Sequence, residues 1–272
     1  MGIGPFRHAA ACSSLSFHNG NHQMKTRIAI AALGTLLLTS IASATEAPHW
    51  TYQGKTGASQ WAHLEADYAV CGTGQRQSPI NIETRKVTGT TAQAIDLSYA
   101  PANAEVINNG HTIQVEPANG GSLTIDGVEY KLAQFHFHTP SEEKIDGKSY
   151  PLVAHLVHKS AEGKLAVIAV LFRTGKANAT LKPVFASLPA KAGEKRALDG
   201  TINVNELLPA KRDNYTFIGS LTTPPCSEDV RWVVMKAPVS ISSAQLAAFR
   251  KLYKMNARPV QAVNGREVLV GR

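Results

Sequence analysis

Apolar and polar residues alternate with a period of two along a series of short segments. Gln134-Phe135-His136-Phe137-His138 is the clearest of them. Successive side chains of a strand point to opposite faces, so Gln134, His136 and His138 share one face and Phe135 and Phe137 the other. The aromatic face can be buried in a core. The opposite face sets two imidazoles side by side, about 7 Å apart at their Cα atoms. That spacing suits a chelate to one metal ion; it also suits two histidines on a solvated strand face. The same pattern predicts strands at Glu105–Asn108, Thr112–Val115, Ser122–Ile125, Glu129–Phe137, Tyr150–His158, Leu165–Phe172, Tyr215–Gly219 and Val230–Lys236. Turn residues separate them, among them Asn109-Gly110, Asn119-Gly120-Gly121, Asp126-Gly127, Asp146-Gly147 and Glu162-Gly163. Helical signals are few, the clearest being Ala177–Leu188 and Ser243–Tyr253. There is no internal repeat and no low-complexity linker. The pattern predicts a mainly β (α+β) single domain with peripheral helices.

Composition supports one large domain. The chain has 272 residues and 43% apolar content, enough for a full core, and all-β folds of this size often stay single. The net charge is +8, but Lys and Arg are scattered, with no dense block and no interleaved aromatics. That describes a basic surface with a weak bias toward anionic partners, not a nucleic-acid footprint.

The N-terminus reads as processing sequence. Lys25 and Arg27 precede an apolar run, Ile28–Leu38, and Ala42-Ser43-Ala44 is an A-x-A cleavage site. This is the layout of a secretory signal peptide over residues 24–44, beginning at Met24. The run is too short to span a bilayer comfortably, so no transmembrane segment is expected. Residues 1–23 read as an upstream extension or a long leader. Phe6 stands where a myristoylation motif needs Ser or Thr. The mature domain is expected over residues 45–272, periplasmic or secreted. Cys12 falls in the removed part. Cys71 and Cys226 are then an even pair in an oxidising compartment, which predicts a disulfide. Closing a loop of about 155 residues contributes about 5 kcal/mol in the chain-entropy model. Two buried thiols are the alternative.

A third imidazole lies on the strand predicted after Tyr150. His155 shares a face with Val153 and Val157, whereas His158 points the other way as a surface or structural residue. If this strand is the antiparallel neighbour of the first, His155 can lie opposite His136 and His138. Three neutral imidazoles with one open position form the ligand set of a catalytic zinc site. No short-spaced Cys pair suggests structural zinc, and there is no helical His-Glu-x-x-His of a zinc protease.

Several motifs occur together in one order: Gln77-Ser-Pro-Ile-Asn81, Asn108-Asn-Gly-His111, Gln134-Phe-His-Phe-His138, Ser141-Glu142, His155-Leu-Val-His158, Leu165-Ala-Val167, Gly219-Ser-Leu-Thr-Thr-Pro-Pro-Cys226 and Asn256-Ala-Arg-Pro259. Together they resemble an α-class carbonic anhydrase of the exported bacterial type, over roughly residues 49–270. The resemblance implies a large, mostly antiparallel twisted β-sheet with zinc at the base of a conical cleft. It implies Zn2+ held by His136, His138 and His155, and reversible hydration of carbon dioxide to bicarbonate and a proton by attack of zinc-bound hydroxide. By resemblance Thr222 is the gatekeeper hydroxyl, and Glu142 accepts its single proton. Val157, Val167, Leu221, Thr223 and Trp232 correspond to the substrate pocket. His111 corresponds to the proton shuttle, a role suited to a pKa near neutrality. Tyr52, Asn109, Gln114 and Gln134 correspond to polar positions that order water near the metal. Without the resemblance, Thr222 and His111 read as turn residues and the pocket residues as ordinary core. Exported members of the family are often homodimers.

Three positions depart from the family's usual residues and belong together. Glu143 stands where His is common, Val153 where Glu is common, and Phe217 where Tyr is usual. The family's Glu orients the third histidine ligand, and losing such a partner typically costs about 10–100-fold in metal affinity or activity. One reading is a swap, in which Glu143 supplies the carboxylate that Val153 lacks and accepts from the free ring N–H of His155. The opposite reading is decay, with weak zinc binding and low activity. Two other functions compete with the leading one: a catalytically weak or inactive carbonic-anhydrase-like binding protein, and a zinc hydrolase acting on esters.

Overall fold

The computed structural model of the protein describes residues 49–87, 89–90 and 95–271. The expected signal peptide at 24–44, with Met24 and Ala42-Ser43-Ala44, lies outside the described residues, as does Cys12. A 13-stranded mixed sheet dominates the rest. Its centre runs, in spatial order, through Ala104–Asn108, Ile113–Pro117, Val128–His138, Leu152–Ser160, Leu165–Thr174, Glu228–Met235 and Asn214–Ser220. Most of these neighbours are antiparallel; Leu165–Thr174 and Glu228–Met235 are parallel. Hairpins suffice for the antiparallel joins, whereas the parallel pair needs a long crossover, here residues 175–227.

The two faces of the sheet carry separate cores. One gathers Phe135, Phe137, Ala154, Leu156, Ile168 and Val170, covered by Val184, Leu246 and Phe249 from short helices. The other gathers Val153, Val167, Ala169, Phe217, Trp232 and Val234. The predicted alternation therefore holds from Gln134 to His138. Upstream it would fail, because Tyr130 and Leu132 are even-numbered yet pack with Phe135 and Phe137. A β-bulge reconciles them. Leu132 pairs with His158 and Gln134 with Val157, so Ala133 is an extra residue. A bulge shifts the phase of the side chains and bends the strand.

The predicted strands are present with ends displaced by one to a few residues. The Asp126-Gly127 turn has positive φ at both positions, 51° and 76°, as a two-residue hairpin between Ile125 and Val128 requires. Ile95–Tyr99 is a strand beyond those predicted; it pairs with Gly121–Ile125 at the margin of the sheet. The helix predicted over Ala177–Leu188 shrinks to Lys182–Ala186. Asn178 Oδ1 accepts the N–H of Leu181 in a local turn, and Pro183 has no N–H to extend a helix upstream. Ser243–Leu252 is helical, with a capping box between Ser242 and Gln245.

Cys71 and Cys226 form a disulfide. It sits against Trp61, with Trp50, Tyr52 and Tyr68 packed around it.

His158 is buried and structural. Its Nε2 lies 2.7 Å from the Tyr99 hydroxyl and its Nδ1 lies 3.3 Å from the Ala166 carbonyl. The carbonyl can only accept, so Nδ1 carries the proton and Nε2 accepts from Tyr99. Burial lowers the His158 pKa to about 4, with hydrogen bonds to backbone opposing. The unfolded chain, with an ordinary histidine near 6.5, then binds more protons than the native chain as pH falls below that value. Stability is full above pH 6.5 and declines as pH drops toward 4, by up to ~3 kcal/mol from this residue. Urea midpoints measured across that range should fall with pH, and the slope should flatten in His158→Gln; an equal slope in the variant would assign the decline elsewhere.

Candidate metal centre

The antiparallel register puts His136 directly opposite His155, and His138 opposite Val153. All three rings project from the face that carries Val153, Val167 and Trp232. One nitrogen from each ring lies within 4.8 Å of the others. The far nitrogen of each ring has its own acceptor. His136 Nδ1 lies 2.8 Å from Gln134 Oε1, one pleat along the same strand. His138 Nδ1 lies 2.7 Å from the main-chain carbonyl of Asn256. His155 is turned the other way, with Nε2 2.9 Å from Glu143 Oε1. Each contact holds one proton on the outer nitrogen and leaves the inner one with a free lone pair. His138 Nε2 is buried without any partner, which an ion would satisfy.

Burial favours the neutral ring needed for ligation. It brings His136 down to about 3, with His155 assisting, and holds His138 well below the ordinary histidine value, with His155 and His136 assisting. His155 differs: burial lowers it, but the charge and hydrogen bond of Glu143, with Glu142 behind, carry the net direction upward. Neutral imidazoles in this number and convergence fit zinc.

Glu143 is fully buried, and its Oε2 has no hydrogen-bond partner. Val153 and Phe217 belong to the apolar cluster on this face. Phe217 stacks on Trp232 at 6.1 Å, and Trp232 meets the His155 ring edge-on at 4.9 Å. Gly219 is required where the next turn passes these groups, since a Cβ there would strike Ser78 Oγ and the Trp232 ring.

Glu142 lies between His138 and His155. Its Oε1 accepts the Arg258 N–H at 2.7 Å and is 3.5 Å from His138 Nδ1; its Oε2 is 3.8 Å from His155 Nδ1. Burial raises the Glu142 carboxyl to about 7; His155 lowers it, Glu143 raises it, and the Arg258 N–H and Thr222 hydroxyl lower it. Thr222 is buried and acts on Glu142 by proximity, for Oε2 has no partner of full hydrogen-bond geometry.

Val157, Val167 and Trp232 form one cross-strand row, Val157 paired with Val167 and Val167 with Trp232. Leu221 packs partly buried against the same cluster. Thr223 is half-buried, and its carbonyl accepts the Cys226 N–H. Tyr52 stands edge-on to His138 at 6.4 Å, and burial raises its pKa well above the usual phenol value. Asn109 Nδ2 donates to Gln114 Oε1 at 3.3 Å, and Gln114 Nε2 donates to Glu116 at 2.6 Å. Gln134, expected with these among the water-ordering positions, accepts from the His136 ring at 2.8 Å.

His111 is not free in the cleft. It stacks on Trp50, at 3.6 Å and nearly parallel, with the His49 ring 4.7 Å away. Burial, with His49 adding to it, lowers its pKa to about 4. The stack on Trp50 leaves no local signal in the sequence. Nor do the contacts of Asn256 and Arg258 with His138 and Glu142: they run through a main-chain carbonyl and a main-chain N–H, which have no side-chain signature.

A histidine cluster of this kind on a large mixed sheet marks a class of protein positioned to bind a metal ion. A family model described as eukaryotic-type carbonic anhydrase matches residues 56–272, and the chain belongs to that family. It is 40% identical over 247 residues to a carbonic anhydrase of Pectobacterium carotovorum, covering 90% of this chain and 100% of the relative. It is 42% identical over 249 residues to one of Klebsiella pneumoniae, again covering 90% and 100%. Among solved structures, the α-carbonic anhydrase of Thermovibrio ammonificans in complex with sulfanilamide superposes with a TM-score of 0.80 at 43% identity. That match covers 81% of this chain and 98% of the other.

The stack predicts the behaviour of His111. Trp50→Ala opens the ring to water and should raise its pKa from about 4 toward the ordinary 6.5. An NMR titration of the His111 ring protons measures this; a midpoint unmoved by the substitution would exclude burial under Trp50 as the cause.

Proposed function

We propose that this chain is an exported zinc carbonic anhydrase that catalyses the reversible conversion of carbon dioxide and water to bicarbonate and a proton. The observation that carries the reading is the convergence of one nitrogen each from His136, His138 and His155 within 4.8 Å, with every outer nitrogen facing its own acceptor. Zinc bound by these three rings would supply Lewis acidity and bring the pKa of a coordinated water to about 7.

The chain's own residues supply the rest. Glu143 orients His155, taking the part that Val153 has no polar atom to play; the 2.9 Å contact supports the swap over decay. The oxygen of Thr222 has one proton, which it directs to Glu142, so its lone pair is left to accept from the attacking water and aim it. The row Val157, Val167 and Trp232, with Leu221 and Thr223 at its margin, offers carbon dioxide an apolar wall. The proton leaves by way of water ordered near Tyr52, Asn109 and Gln114 to His111, which must swing out of its stack to work near neutral pH.

Residues 24–44 are read as a signal peptide and 45–272 as the mature domain, periplasmic or secreted. The disulfide supports an oxidising destination.

Stopped-flow carbon dioxide hydration on the purified protein, with zinc determined on the same sample, tests the reading. About one zinc per chain with rapid hydration is expected; zinc without hydration would refute the catalytic claim. Glu143→Gln should weaken zinc binding by about 10–100-fold, read by chelator competition. Unchanged affinity would return the orientation of His155 to some other group.

A further inference from the structure

Arg258 is 3% exposed, and the catalytic reading above gives its side chain nothing to do. Its guanidinium donates from Nη1 to Gln77 Oε1 at 2.9 Å and to the Ser78 carbonyl at 2.7 Å. From Nη2 it donates to the Cys71 carbonyl at 2.9 Å. The face of Trp61 lies 5.5 Å away. A buried cation spent on neutral acceptors is costly, so its placement calls for a reason.

The reason lies in what its own main chain holds. Residues 255–260 belong to no helix or strand, so no regular ladder fixes them. Yet the Arg258 N–H donates to Glu142 Oε1, and the Asn256 carbonyl accepts from His138 Nδ1. The Asn256 side chain accepts the Thr139 N–H at 2.8 Å and donates to the carbonyls of Phe137 at 2.9 Å and His111 at 3.1 Å. One irregular strap thus touches a metal-site histidine, the carboxylate beside it and the chain at His111.

The far side of the guanidinium is equally connected. Cys71 is bonded to Cys226, and Gln77 Nε2 donates to the Cys226 carbonyl at 3.0 Å. The Cys226 N–H in turn donates to the Thr223 carbonyl, closing the turn that begins one residue after Thr222.

We propose that Arg258 is a positioning residue: its guanidinium clamps the 256–258 strap to the disulfide-bonded segment 71–78 and so fixes His138, Glu142 and the turn after Thr222 relative to one another. The proposal rests on the metal-site reading of His138 and Glu142.

Arg258→Met removes the fork and the charge but keeps an unbranched stem; Arg258→Lys keeps the charge and loses the fork. Two readouts are needed: zinc affinity by chelator competition, and kcat and KM for carbon dioxide hydration by zinc-loaded protein. Arg258→Met should lose about ten-fold in each of zinc affinity and kcat with KM little changed, and Arg258→Lys should fall between it and the parent. Combined with Cys71→Ala and Cys226→Ala, the losses should be less than multiplicative, because both changes release the same segment. A folded Arg258→Met within about two-fold of the parent on both readouts overturns the proposal, and so do independent, multiplicative losses. Should Arg258→Met fail to fold, Arg258→Lys decides on the same measurements: losses support the clamp and parental values overturn it. A parent that binds zinc without hydrating carbon dioxide would sink the catalytic reading, and the zinc arm would still judge this one.

Discussion

A neutral imidazole has one lone pair and one N–H, and a three-histidine site works only if every lone pair points inward. That constraint forces an acceptor onto each outer nitrogen. The protein supplies three of different kinds: a side-chain amide from the same strand, a main-chain carbonyl from Asn256, and the Glu143 carboxylate. Leaving such a buried donor unmet costs about 1–3 kcal/mol. The acceptors therefore hold the rings against rotation as well as choosing their tautomers.

The sheet does the coarse positioning. Antiparallel register sets His136 and His155 directly opposite one another on adjacent strands. Finer adjustment comes from irregular segments: 139–151 brings in Glu142 and Glu143, 219–227 brings in Thr222, and the strap at 256–258 reaches across from the far end of the chain. Irregular backbone has no ladder to stiffen it, so these pieces are tied to one another through the disulfide, Gln77 and Arg258.

Legibility in the sequence followed the range of the interaction. Alternation from Gln134 to His138 and from Tyr150 to His158 was readable because period two is a local property; it put His136 with His138 and His155 with Val153 and Val157, and the antiparallel pairing brings the two sets together. The contact between Glu143 and His155 was readable because Glu143, Val153 and Phe217 depart together from a known pattern. The strand Ile95–Tyr99 carries the same signal, with Ile95, Leu97 and Tyr99 half-buried and Asp96 and Ser98 exposed, so its absence from the predicted strands has no physical cause in the pattern. The stack of Trp50 on His111 was not readable, because it depends on how the chain near residue 50 folds back over a turn sixty residues later. Ala177–Leu188 read as a longer helix than it is because apolar spacing says nothing of a proline's missing donor.

Ala133 is the odd residue out in its strand, exposed and without a partner of its own. A chain lacking it would run from Leu132 straight to Gln134, keep strict alternation, and bury the same side chains through an unbroken ladder. Burial alone therefore gives no reason for the residue to exist. What it supplies is a bend one residue before the segment that aims two imidazoles. The strand carries, in effect, a surplus of length spent on direction, and its curvature is inherited as an insertion and not as a choice of side chain.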